Sequence, residues 1–184
     1  MLKRIFTRIQ GFFIRPEREW VVVFNEKLSV SELLISYNLP LMLLSAAAVF
    51  IGSLWNFHSV GVTIAFMHSF YTFVAFLSSL LVSYFIVLKL LPFMNLATDK
   101  EKVFKLVALP SLVIYLVHLI ITLMPEVFFL RLVNFYAVFL IWEGYQKIFS
   151  VNKHKKVLLS LITSAAVLLL PLGIFQLLYK MSGF

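Results

Sequence analysis

The stretch KVFKLVALPSLVIYLVHLIITLMPEVFFLRLVNFYAVFLIWEGYQKIFSVNKHKK, residues 102–156, decides the fold. It holds two long apolar runs, Val103–Met124 and Val127–Trp142, joined by the turn Met124-Pro125-Glu126. Lys100, Lys102 and Lys105 cluster at its start, and Lys147, Lys153, Lys155 and Lys156 close it. A turn that short holds no domain, so the two runs are antiparallel neighbours with both basic ends on one side. The first run is long enough to cross about 30 Å of hydrocarbon, and the second becomes so once it is extended to Tyr145. The stretch therefore predicts a transmembrane hairpin.

The rest of the chain fits that reading. Apolar residues make up 62% and charged residues 13% of the sequence, against roughly half and roughly a quarter in a soluble domain. The net charge is +8, but the charges lie between apolar runs rather than along a soluble face, which argues against nucleic acid. The chain has no cysteine, which excludes disulfides, thiolate metal sites and a cysteine nucleophile. The basic N-terminus meets Arg15 and Pro16 before any uninterrupted apolar core, so no cleavable signal peptide is expected. No internal repeat or low-complexity tract stands out.

Working outward, five spans are predicted, at about 33–55, 66–91, 103–124, 127–145 and 157–178. Ser29-Val-Ser-Glu32 reads as a capping box that starts the first of them. Pro40 lies in its first turns, and Ala48 and Gly52, four apart, offer a close approach to a neighbour. In the second span Ala75, Ser79 and Ser83 make a packing stripe of small residues, and Lys89 and Pro92 mark its end. Pro110 and Pro171 fall inside the third and fifth spans.

Lys and Arg set the orientation. The N-terminal segment carries 6, and the second-to-third and fourth-to-fifth connections carry 4 each, leaving only Arg131 and Lys180 on the opposite side. Basic loops are retained in the cytoplasm. The expected fold is an all-α membrane protein of five transmembrane helices, with the N-terminus cytoplasmic and the C-terminus outside. Residues 1–32 form a cytoplasmic amphipathic segment and 33–184 the transmembrane domain.

Within the first segment, Leu2, Ile5, Phe6, Ile9, Phe12 and Phe13 recur at helical spacing, with Lys3, Arg4 and Arg8 opposite them. Such a helix lies at the membrane interface against anionic headgroups, each cation contributing about 1 kcal/mol. The alternative is a helix packed on the protein's own cytoplasmic face. Arg15–Trp20 reads RPEREW. Pro16 suits the first turn of a second helix, Glu17 and Glu19 suit its N-terminal dipole, and Trp20 suits a headgroup-level aromatic anchor.

Candidate chemistry is sparse. His118 lies well inside a span, His68 nearer the end of another, and His58 and His154 lie outside them. Glu143 is the sharpest intramembrane acid, but at 1.5 Å per residue its depth differs from that of His118 by roughly 15 Å. A pair with Lys147, four residues on, is expected instead. No zinc-helix motif, phosphate loop, serine elbow or paired-carboxylate cluster occurs. The chain is expected to be no enzyme and to need no cofactor or metal.

The hairpin also carries a resemblance. Its charged lead-in Lys102–Lys105, Pro110, the outer-turn Pro125, Tyr136 and Gly144, with Pro16 and Trp20 of RPEREW, resemble the pattern of the Yip family of integral membrane proteins, bacterial type. That family often has Tyr-Gly where this chain has Tyr136-Ala137, and Tyr or Leu where it has Glu143. The resemblance implies a multi-pass protein of the bacterial inner membrane with a cytoplasmic N-terminal segment. Eukaryotic members bind Rab-type GTPases in vesicle trafficking, an activity not carried over to a chain of the bacterial type. Two functions follow. One is a non-enzymatic organiser of membrane partners, lipids or a homo-oligomer. The other is a small transporter or channel subunit with a mid-membrane site near His118, its prolines breaking helices around that site.

Overall fold

A computed structural model describes residues 2–56, 61–149 and 153–181. Among them there are only helices: α1 Leu2–Ile14, α2 Pro16–Asn25, α3 Val30–Leu33, α4 Leu39–Asn56, α5 Val62–Phe93, α6 Lys100–Leu123, α7 Tyr136–Phe149 and α8 Lys153–Met181. A π-helical turn, Leu34–Asn38, joins α3 to α4, and a 3-10 helix, Pro125–Phe135, leads into α7. Five segments are long and apolar enough to cross a membrane: Val30–Trp55, Val62–Phe93, Lys100–Leu123, Pro125–Lys147 and His154–Met181. The chain is a multi-pass membrane protein by that measure, and each expected span falls on one of the five segments.

Local chemistry sets the boundaries. Pro16 stands at the start of α2 with Glu17 and Glu19 in its first turn, as expected. The Ser29–Glu32 capping box is formed in both directions. Asp99 caps α6, its carboxylate accepting from the Glu101 and Lys102 amides. Asn95, at φ 56, supplies the left-handed residue that ends α5.

The core centres on α6, whose residues Val103 to Tyr115 are all buried. It runs beside α4 in fixed register. Ser45 Oγ donates to the Tyr115 carbonyl at 2.8 Å, an offset of 70 residues. At the same offset a Cβ on Gly52 would lie 2.6 Å from the Thr122 carbonyl, so only glycine permits that approach. Ala48 and Gly52 therefore serve as the small contact surface read from their spacing. The same offset sets Pro40 level with Pro110, both buried. A helix without the Pro40 N–H must adjust just before it, and the π turn is where this one does. On α5, Ala75, Ser79 and Ser83 are all buried, as a packing stripe should be.

The return arm of the hairpin departs from the expected plain α-helix. Pro125–Phe135 is 3-10 with a kink at Val127 (φ -90, ψ 32), and beyond the kink residues three apart eclipse. Leu130 and Val133 form a partly buried ridge there, while Phe129, Leu132 and Phe135 form an exposed one. Only from Ala137 onward does the arm enter the core.

Candidate functional site

The most highly organised polar and aromatic contacts gather where α1 and α2 meet the basic end of the α6–α7 hairpin. Several of them link residues about 80 to 120 apart in sequence.

The helix α1 divides its apolar residues. Ile5, Ile9 and Phe12 are buried in the protein, while Phe6, Phe13 and Ile14 are exposed. The single lipid-facing stripe expected from the spacing is thus corrected: Ile5, Ile9 and Phe12 pack on the protein itself, and only Phe6, Phe13 and Ile14 are left exposed. On its polar side, Arg8 is taken up by the protein. Its guanidinium lies 2.6 Å from Glu19 and 2.6 Å from Glu26, and 5.8 Å above the Tyr37 ring. Burial works against its charge, but the hydrogen bonds and charge of Glu26 and Tyr37 more than offset this and raise its pKa above the ordinary value. While its glutamate partners are ionised, the stabilisation tied to Arg8's own proton is lost only as pH climbs through the raised pKa, beyond the physiological range. Arg8 is therefore not a lipid-facing cation, contrary to expectation.

Pro16 has a second consequence. A proline has no N–H, so the Phe12 carbonyl four residues earlier loses its helical donor. Tyr136 supplies the replacement: its hydroxyl donates to Phe12 O at 2.8 Å. Its ring stacks on Phe13 at 4.9 Å.

Trp20 is completely buried, not a headgroup anchor. Amphipathic spacing alone places it on a face and is silent on what covers that face. Here the cover is the hairpin. The indole Nε1–H donates to the Leu140 carbonyl at 3.0 Å, and Phe12 meets the ring edge-on at 5.2 Å. Gly144 makes this contact fit. A Cβ there would come within 2.5 Å of Leu106 Cδ1 and 3.0 Å of Trp20 Cζ2. A side chain four residues after Leu140 would also crowd the path to its carbonyl.

Lys105 completes the dock. It was expected as a loop charge, yet it is buried. Its Nζ donates to Val23 O at 3.0 Å and Glu26 O at 2.7 Å. A cation on the last carbonyls of α2 satisfies groups that a helix end leaves unpaired and complements the dipole. The sequence signal was a lysine embedded in an apolar run, overshadowed by its neighbours Lys100 and Lys102.

The other predicted residues lie apart. Pro110 is buried in α6 and Pro125 is exposed at the far turn. His118 packs edge-on against Phe76 at 5.1 Å, and its Nε2 has no hydrogen-bond partner among the described residues. His68 lies 5.7 Å from the Tyr179 ring, His154 is exposed, and His58 falls outside the described residues. Glu143 is buried and is not paired with Lys147, which reaches Glu17 at 3.5 Å instead. The α2 helix lies close enough to the end of α7 to take that lysine. Glu143 lies within electrostatic reach of Lys156, whose ammonium sits 3.9 Å above the Trp142 ring centroid and donates to Gln146. Among the described residues no cluster of three or more His, Asp or Glu is arranged to hold a metal.

Pro16, Trp20, Tyr136 and Gly144 thus belong to one contact, while Pro110, Pro125 and His118 do not. Comparison with known proteins supplies no relative: no family model, curated protein or solved structure matches the chain.

Proposed function

We propose that this chain is a non-enzymatic, Yip-like membrane protein that organises membrane partners or lipids at the cytoplasmic face, with N-terminus inside and C-terminus outside. The single observation that carries the reading is the dock. Four of the residues behind the Yip resemblance, Pro16, Trp20, Tyr136 and Gly144, act together in it. They hold α1 and α2 as a rigid platform. Its outer surface combines exposed Phe6, Phe13, Ile14, Val21 and Val22 with exposed Arg15 and Arg18. A surface of that mixed kind suits association rather than catalysis. A groove of the bundle between α5 and α8 is lined by Ile86, Ile162, Ala165, Leu169, Gly173 and other apolar residues. That lining gives a transport reading little support.

Two experiments test this. The chain has no native cysteine, so single cysteines at Lys27 and Met181 report orientation cleanly. In intact inner-membrane cells an impermeant thiol reagent should label the second and not the first; the reverse pattern would refute the orientation. Affinity purification from gently solubilised membranes should then recover a reproducible protein or lipid partner that is lost in Trp20→Ala. Recovery of the same partner with that variant would contradict a role for the platform.

A further inference from the structure

We propose that the groove between α2 and the basic end of α7 binds the phosphate of an anionic phospholipid from the adjoining leaflet. This deepens the membrane-organising reading and rests on it for the side of the membrane. The cations that sequence spacing would assign to lipid are not all available. Arg8 is committed to Glu19 and Glu26, Lys105 to the end of α2, Lys155 to Met94 O, and Lys156 to Gln146 and Trp142. What remains at the platform's edge is a groove of about 380 Å³ lined by Glu17, Arg18, Val21, Val22 and Lys147, within the roughly 300–1,000 Å³ of ligand sites.

Its chemistry is that of a phospholipid at the headgroup level. Arg18 is exposed and has no ion-pair partner among the described residues. Lys147 is the last residue of the fourth candidate span, so its ammonium stands where hydrocarbon gives way to headgroups. A guanidinium and an ammonium on opposite walls can share one phosphate. Val21 and Val22, 47% and 46% exposed, form an apolar wall suited to the glycerol esters and first methylenes. A free anion would have no use for that wall. Glu17 also lines the groove and opposes an anion there. It lies 3.5 Å from Lys147 and is mostly exposed, and such a surface pair is weak enough to be exchanged for a phosphate.

The full-length protein in neutral detergent is titrated with short-chain phosphatidylglycerol, short-chain phosphatidylcholine, inorganic phosphate and an acidic peptide, with binding read by calorimetry. Phosphatidylglycerol should bind, and the other three should bind at least about tenfold more weakly. Arg18→Gln with Lys147→Gln should lower phosphatidylglycerol affinity by about tenfold or more, and Glu17→Gln should raise it. A control, Lys100→Gln with Lys102→Gln on another connection, should leave it unchanged. The substituted side chains lie at the surface, and an unchanged melting temperature verifies the fold. Equal binding of phosphatidylcholine, equal binding of phosphate or peptide, or undiminished affinity in the Arg18/Lys147 variant would overturn the proposal. Those results leave the orientation and partner experiments untouched, so the two readings fail separately.

Discussion

The two ends of the α6–α7 hairpin are both rich in large apolar side chains and differ in how far those are buried. At the basic end, Leu106, Leu140, Gly144 and Lys105 are buried beneath the N-terminal helices, and hydrogen bonds run between elements about 80 to 120 residues apart. At the far end, Pro125–Phe135 has no buried residue, and Phe128, Phe129, Leu132 and Phe135 are all exposed. Apolarity decides that both ends leave water. It does not decide whether protein or lipid receives them, because lipid tails are as apolar as leucine. What separates the ends is small-residue clearance and paired polar atoms. Gly144 lets Trp20 in, and Lys105 and Tyr136 satisfy carbonyls that α2 and Pro16 leave open.

Substitutions break this contrast in a graded way. Trp20→Ala removes the largest buried ring of the dock together with its hydrogen bond, and should cost about 3–5 kcal/mol. Thermal unfolding in detergent would read the loss, and trypsin should then cut readily after Arg18 and Lys27. Gly144→Val overfills the notch rather than emptying it, at about 1–3 kcal/mol. Its diagnostic is the same tryptic exposure with the five spans intact. Lys105→Met leaves two α2 carbonyls without their donor, and about 1–3 kcal/mol should go, seen as faster amide exchange in α2 than in α5. At the far end, Phe129→Ala should change stability by less than about 0.5 kcal/mol. A loss as large as that of Trp20→Ala would mean that the exposed ridge of Phe129, Leu132 and Phe135 packs on something, and the contrast between the ends would collapse.

Much of the scaffold was legible beforehand. Uncharged runs fixed five spans, Ser29 and Glu32 announced a helix start, and the small residues at 48, 52, 75, 79 and 83 marked close helix contacts. These signals are local or follow one helix's period. The dock was not legible, for the same physical reason. That Arg8 meets Glu26, that Lys147 takes Glu17 rather than pairing with Glu143, and that Trp20 finds Leu140 are facts about three-dimensional proximity. The 3-10 arm was hidden too, because phenylalanine and leucine in an apolar run suit either helix. Trp20, Tyr136 and Gly144 stood out only as residue types; that Trp20 packs on Gly144 and Tyr136 reaches Phe12 could be read only in three dimensions.

The central claim is that Trp20 lies inside the protein, locked into the hairpin. The most direct measurement is fluorescence of a Trp20-only protein, made by Trp55→Phe and Trp142→Phe, reconstituted in bilayers and exposed to acrylamide and to brominated lipids. A blue-shifted emission resistant to both quenchers is the predicted result, since Trp20 has no exposed surface. Strong quenching by brominated lipid or by acrylamide would contradict the account, because it would return Trp20 to the membrane interface and leave the hairpin's basic end undocked.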